Sequence, residues 1–250
     1  MRRLFAAALL ALPIAGPTTA IAQPEAQASS WGLGLGVGYE RRAYRDFDNR
    51  ARVLPLLMYE NRWVSVAGPG IDLKLPDVGP LALRLRARYA FDGYEADDSP
   101  YLAGMAERKG GVWVGGALAW QLGATRLSAE LLGDASGNSK GRQFRLQAEH
   151  SFRAGDFELT PRLAALSLDR KYVDYYYGVA LSEQRAGRAA HAGESTVNTE
   201  LGLRVGYRLA SQQLLMLDLS GTRLGRGIKA SPLVERGSET GLRMAYLYRF

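Results

Sequence analysis

The chain has 250 residues, 32 Lys and Arg against 25 Asp and Glu, a formal net charge of +7, and no cysteine. The absence of cysteine excludes a disulfide framework and a cysteine-linked lipid anchor, and the cations are spread along the chain instead of forming one basic tract, so nucleic-acid binding is not indicated. With 29 glycines, 13 tyrosines and a slightly negative mean hydropathy, the chain is unlike a helical membrane protein and fits one whose apolar residues are diluted by polar residues at every second position.

The N-terminus carries Arg2 and Arg3, an apolar stretch from Leu4 to Ala15 interrupted by Pro13, and Ala20-Ile21-Ala22 before Gln23. This reads as a secretory signal peptide of residues 1–22, cut after Ala22, ahead of one domain over residues 23–250. The stretch is shorter than a membrane-spanning helix needs, and no later segment reaches that length without a charge.

From Trp31 to Tyr39 large apolar residues alternate with glycine, which gives one lipid-ready face and one bare face. The glycines lie inside a period-two pattern with no helix following, so a phosphate-binding loop is not the reading. The bare positions make room for large side chains from the opposite wall or leave a narrow lumen. Val53 to Tyr59 is a second strand, and Trp63 to Leu75 supplies two more if the chain reverses at Gly68-Pro69-Gly70. In Leu81 to Tyr89, Leu81, Leu83, Leu85, Ala87 and Tyr89 share one face and Arg84, Arg86 and Arg88 the other. Arginine facing lipid at mid-bilayer costs ~2–4 kcal/mol, so this basic row is expected to line the interior. There it either pairs with inward carboxylates such as Glu130, Glu149 and Glu200 or forms an anion-selective lumen.

Val112 to Leu122, Thr125 to Leu132, Arg142 to Ser151, Phe157 to Leu168, Thr196 to Leu209 and Gln213 to Thr222 follow as strands of spanning length. Short connections at Gly123-Ala124, Ala154 to Asp156 and Ala210 to Gln212 alternate with long ones at Asp92 to Gly110, Ala135 to Lys140, Asp169 to Ser195 and Leu224 to Gly237. Short periplasmic turns and longer outer loops give this pattern. The last strand places Thr240, Leu242, Met244, Tyr246, Tyr248 and Phe250 on one face, and Tyr246, Tyr248 and the terminal Phe250 form the expected C-terminal assembly signal. The fold class is therefore all-β: a single antiparallel transmembrane β-barrel in the outer membrane of a Gram-negative bacterium. About twelve strands are expected, or ten if the Gly68-Pro69 reversal is only a kink.

Four passages then point to a family: Asp98-Ser-Pro-Tyr-Leu-Ala-Gly-Met105, Asp174-Tyr-Tyr-Tyr-Gly-Val179 with Ser182-Glu183, Ala230-Ser-Pro-Leu-Val234, and Tyr248-Arg-Phe250. In this order they resemble the MipA/OmpV family of MltA-interacting protein and outer membrane protein V, over nearly the whole chain after residue 22. The resemblance implies an outer-membrane barrel, one member being described as a scaffold that joins a murein-cleaving lytic transglycosylase to a murein polymerase and others as surface antigens or adhesins. Tyr175, Tyr176, Tyr177 and Gly178, and Ser231 and Pro232, are the family-motif residues expected in outer loops. The tyrosines are read as an aromatic girdle at the membrane interface or as a loop platform. The Ser231 to Val234 stretch is read either as a plug folded into the lumen or as a loop packed on its own neighbours.

No catalytic, cofactor-binding or metal-ligating set is expected. His150 and Ser151 are adjacent on a strand and point to opposite faces, and His191 lies in a polar loop without a framework for a hydrolase. Asp92, Asp97 and Asp98 lack the spacing of a calcium loop. The expected partners are outer-membrane lipid and lipopolysaccharide (through Arg170, Lys171, Arg185 and Arg188), the barrel-assembly machinery, and periplasmic murein enzymes.

Overall fold

A computed structural model describes residues 29–47, 49 and 51–250, so the expected signal peptide lies outside the described residues. The strands are β1 (Ser30–Arg41), β2 (Ala51–Glu60), β3 (Val64–Ala67), β4 (Gly70–Lys74), β5 (Leu81–Ala90), β6 (Gly111–Leu122), β7 (Thr125–Asp134), β8 (Arg142–His150), β9 (Phe152–Ala154), β10 (Phe157–Leu168), β11 (Thr196–Ala210), β12 (Gln213–Arg223) and β13 (Ser238–Arg249). All strand pairings are antiparallel, between sequence neighbours apart from β8 with β10 and the closing pair, in which β13 returns to pair with β1 from Gly32↔Arg249 to Arg41↔Thr240. β8 and β9 both pair with β10 and form one stave interrupted at Ser151, so the closed barrel has twelve staves. The chain does reverse at Gly68-Pro69, pairing Ala67 with Gly70 and Val64 with Leu73, which sets the ten-strand alternative aside.

Side chains obey the alternation of the sheet. In β1, Trp31, Leu33, Leu35, Val37 and Tyr39 are exposed by between 42% and 62% on the outer surface while the intervening glycines face inward. Such a belt is what hydrocarbon solvates in place of water. Paired rings mark its inner edge, with Trp31 against Tyr59 at 4.3 Å and Phe157 against Tyr207 at 4.5 Å, and Tyr89 against Phe91 at 4.8 Å marks its outer edge. On the outer side the six connections are L1 (42–50), L2 (68–69), which turns back at the level of Leu57 on β2, short of the rim, L3 (91–110), L4 (135–141), L5 (169–195) and L6 (224–237). Two helices interrupt them, α1 (Arg170–Tyr177) in L5 and α2 (Arg226–Lys229) in L6.

Closure depends on a close approach at Gly34, where a Cβ would run into the Tyr246 carbonyl oxygen of β13. At Gly38, four residues along the same face, the nearest atom to a Cβ would be Arg243 Cγ at 3.7 Å, an ordinary contact. Gly34→Val is expected to destabilise the closed barrel by more than the ~1–3 kcal/mol usual for overpacking, because the obstacle is backbone, whereas Gly38→Val is tolerated. Heat-modifiable gel mobility with urea titration reads the difference; equal behaviour of the two variants would contradict a special role for Gly34.

Candidate functional site

The interior is crossed by two ion-pair clusters. On one wall Asp72 accepts from Arg86 Nε and Nη2, both at 2.7 Å, and lies 3.8 Å from Arg84 Nη1. Glu130, reaching in from β7, takes Arg86 Nη1 at 2.5 Å and stands 3.5 Å from Arg88 Nη2. Arg84, Arg86 and Arg88 thus face inward, each within ion-pair distance of a carboxylate. On the other wall Arg162 donates to both oxygens of Asp218 at 2.7 and 2.9 Å and to Glu200 at 3.1 Å; Glu200 also binds Arg145 at 2.9 Å, and Asp218 binds Arg204 at 3.2 Å. The bare Gly202 on β11 leaves the space that the Arg162 guanidinium occupies. Glu149 accepts from Gln147 Nε2 at 3.0 Å. Removing Asp218 would leave the nearly buried Arg162 short of a partner, which costs several kcal/mol, whereas the more exposed Arg86, Arg88 and Arg204 are partly screened by water.

Above them the outer mouth is filled. Tyr44 of L1, Tyr94, Leu102 and Met105 of L3, Tyr172, Val173, Tyr176, Tyr177 and Val179 of L5, and Leu224, Ile228, Leu233 and Val234 of L6 form one buried cluster with Trp113, Leu132 and Leu168 from the inner wall. Trp113, fully buried, packs on Tyr172 at 5.7 Å, and Tyr44 stacks on Tyr177 at 5.2 Å. Asp169 caps α1 by accepting from the Tyr172 amide at 2.8 Å, which aims the helix so that this buried face meets the barrel wall. Hydrogen bonds to backbone carbonyls lace the loops together: Arg45 N donates to Leu233 O at 2.9 Å, Ser231 Oγ to Tyr177 O at 2.5 Å, and Ser99 Oγ to Arg45 O at 2.7 Å. Against this cap lies a cavity of about 220 Å³, lined by its tyrosines Tyr44, Tyr172, Tyr176 and Tyr177 and by charges of both signs, among them Glu40, Glu200, Glu239, Arg42 and Arg243.

The cap corrects several sequence readings. Tyr176 and Tyr177 do not belong to the membrane girdle: they lie on α1, and their rings are buried in the cap because the helix turns them toward Trp113 and Tyr44. Tyr175 is half-buried; its carbonyl accepts from Arg108 Nε at 2.7 Å, and its hydroxyl accepts from the Lys109 amide at 2.9 Å. Gly178 ends the helix with its amide on Asp174 O at 2.9 Å. Ser231, Leu233 and Val234 are buried in the cap and Pro232 is half-buried, so this motif packs inward with its neighbours. Arg188 is no surface cation: 1% exposed, it donates to the carbonyls of Glu183, Tyr101 and Ala103. Arg170, Lys171 and Arg185 are exposed.

His150 Nδ1 meets Thr125 Oγ1 at 2.7 Å and Ser151 Oγ meets Thr160 Oγ1 at 3.1 Å, so the two adjacent side chains make separate contacts. His191 lends its backbone to a bridge with Val179. Tyr246 lies on the exposed outer face of β13, and Tyr248 and Phe250 pack together at 5.1 Å at its end. The sequence reading missed Arg108, which pairs with Glu183 at 2.8 Å inside the cap, because loop residues follow no period from which burial can be read.

The family model described as MltA-interacting protein MipA matches residues 33–250. An outer membrane protein of Escherichia coli (strain K12), YiaT, is 27% identical over 251 residues, covering 97% of each chain. The MltA-interacting protein of the same strain is 27% identical over 240 residues, covering 94% of each. Among solved structures, an outer membrane channel from Pseudomonas putida F1 is similar with a TM-score of 0.50 at 14% identity, over 94% of this chain and 99% of that one, a likeness of fold alone.

Burial drives the Tyr44, Tyr172 and Tyr177 phenols well above their usual range and lifts Tyr94 to about 12, so the cap's rings are neutral. Burial alone would raise the Glu183 carboxyl, but the Arg108 guanidinium and the amides of Ala180 and Ala106 outweigh it and hold it below its ordinary 4.5. Its contribution to the cap is therefore complete above 4.5 and lost as the pH falls through the lower folded-state value. Near-ultraviolet dichroism of the buried tyrosines is expected to collapse in that acid window while the far-ultraviolet β signal persists, and Glu183→Gln to weaken the signal already at neutral pH. An acid transition unchanged in Glu183→Gln would assign it to another group.

Proposed function

Since this chain belongs to the MltA-interacting protein MipA family and forms a closed outer-membrane barrel, we propose that it works as a non-enzymatic interaction protein of the envelope, a membrane-fixed scaffold for periplasmic murein enzymes. The observation that carries this reading is the cap: a mouth filled by interlocked loops over a paired interior serves an anchor better than a conduit. The basic row Arg84, Arg86 and Arg88 then acts as structural charge, held by Asp72 and Glu130. The separate contacts of His150 and Ser151 favour the absence of hydrolase chemistry. On the same reading, residues 1–22 are removed on export, Tyr246, Tyr248 and Phe250 are read by the barrel-assembly machinery, and the exposed Arg170, Lys171 and Arg185 meet lipopolysaccharide phosphates.

A scaffold of this shape must use its periplasmic rim, where the turns are short. Two neighbouring turns carry exposed apolar side chains. Trp63, 52% exposed with the Arg62 guanidinium 4.4 Å over its ring, stands beside the Leu75 to Pro80 connection, where Val78 is 60% exposed between prolines. Exposed aromatic and aliphatic side chains on stiff turns bind at low entropic cost. In-cell crosslinking followed by affinity capture and mass spectrometry is expected to recover a murein-cleaving enzyme with the wild type, and several-fold less with Trp63→Ala and Val78→Glu combined. Capture of lipid and assembly factors alone would overturn the scaffold reading.

A further inference from the structure

The barrel wall is incomplete at one place. β3 ends at Ala67 opposite Met58, and the Gly68 amide closes on the Leu57 carbonyl at 3.1 Å. Ala51 to Leu56 therefore pair with β1 on one side and, among the described residues, with no strand on the other. Across the gap the hairpin meets β5 nearly to its end, with Gly70 opposite Arg88 and the Tyr89 amide on Pro69 O at 3.0 Å. The opening is a wedge, about 20 Å deep against β2 at ~3.3 Å per residue and about three interstrand spacings, ~14 Å, across its top. Tyr39 opposite Ala51 marks its outer end and Trp31 opposite Tyr59 lies below its floor, so it sits at bilayer depth and continues the lipid-facing wall.

The edge is built to be left open. The amide and carbonyl of a strand residue point to the same side, and Leu57 points its carbonyl at β3, so the groups facing the gap belong to Ala51, Val53 and Pro55. Pro55 has no N–H to leave bare, and neither has Pro69 on the floor, which is how natural sheets blunt an exposed edge. Just inside, Leu54 and Leu56 face inward beside the bare Gly36, where a Cβ would sit 3.2 Å from Leu56. Over the top, Arg42 donates to the Phe91 carbonyl at 2.6 Å and to Gly93 O. Arg52, exposed, reaches Phe91 O at 3.4 Å and stands 5.9 Å above the Phe91 ring. Among the described residues that long bond is its one hydrogen bond, which leaves most of its fork free at the outer end of β2.

We propose that this wedge is a lateral window that admits an acyl chain of an anionic outer-leaflet lipid, the chain lying along Leu54, Leu56 and Gly36 and the headgroup phosphate on Arg52. The window passes beside the cap, so it works with the outer mouth sealed, and it does not depend on the scaffold reading. Its occupant follows from position and chemistry: hydrocarbon surrounds the opening, its lining is apolar, and a guanidinium with spare donors stands where a phosphate would lie.

The chain has no cysteine, so single-cysteine variants carry a bimane label cleanly. Full-length Leu54→Cys and Leu56→Cys, placed in vesicles of phosphatidylcholine with brominated acyl chains, report contact between an inward side chain and lipid. Val53→Cys, on the lipid face, gives the upper reference, and Ala117→Cys, inward on β6 behind its unbroken pairing with β5 and β7, the lower one. Quenching at Leu54 and Leu56 comparable to that at Val53 is the expected result; quenching no greater than at Ala117 would overturn the window. With brominated phosphatidylglycerol, quenching at Leu54 is expected at about fivefold lower lipid fraction, the contribution of one arginine near an anionic surface, and Arg52→Glu to abolish that preference. Equal response to the two lipids in the wild type would overturn the headgroup contact.

Discussion

In hydrocarbon a bare peptide group costs several kcal/mol, and the arrangement of this molecule follows from satisfying that constraint by closing the sheet between β1 and β13. Closure fixes the register, and the register fixes which residues see lipid. Leu33, Leu35 and Val37 go outward, and Arg86, Glu130, Arg162 and Asp218 go inward, where no water-rich surface dilutes their charges. Pairing of the arginines with carboxylates from neighbouring staves is thus a consequence of closure. At the stretch of β2 where pairing lapses among the described residues, Pro55 removes one of the three donors that face the gap, and the amides of Ala51 and Val53 remain.

The cap solves a different problem. Twelve staves enclose more space than the inward side chains of the lower wall fill, and the outer loops bring their own core into the mouth. That core is conventional protein interior, built of aromatic rings with a buried arginine held by carbonyls and a buried Arg108 and Glu183 pair. It joins four loops that are far apart in sequence into one body, in which the motifs around Tyr175 to Val179 and Ser231 to Val234 each supply part of the same packing. The result is a barrel whose outer end is packed like a protein interior.

Most of the wall was legible in the sequence because alternation is a local signal. The Arg84, Arg86 and Arg88 row and the glycine ladder from Trp31 each declare a face without reference to distant residues, whereas Gly68-Pro69 left a reversal and a kink both open until the pairing of Ala67 with Gly70 decided it. The cap was not legible in that way. Tyr176 and Tyr177 look like interfacial aromatics until α1 turns them inward, and Arg188 looks like a surface cation until Glu183, Tyr101 and Ala103 are seen to surround it. In both cases the deciding partner lies in another loop, and no periodicity connects the two. The wedge was hidden for a related reason, since a short hairpin becomes a gap only when the length of its neighbours in register is known.

The central claim is that loop packing seals the barrel, and recording from purified protein in planar bilayers tests it most directly. The account predicts a silent bilayer for the wild type and brief openings for Leu233→Ala, which removes a fully buried side chain from the cap at a cost of ~2–5 kcal/mol. Steady conductance from the wild type would contradict the seal and return Arg84, Arg86 and Arg88 to the role of an anion filter.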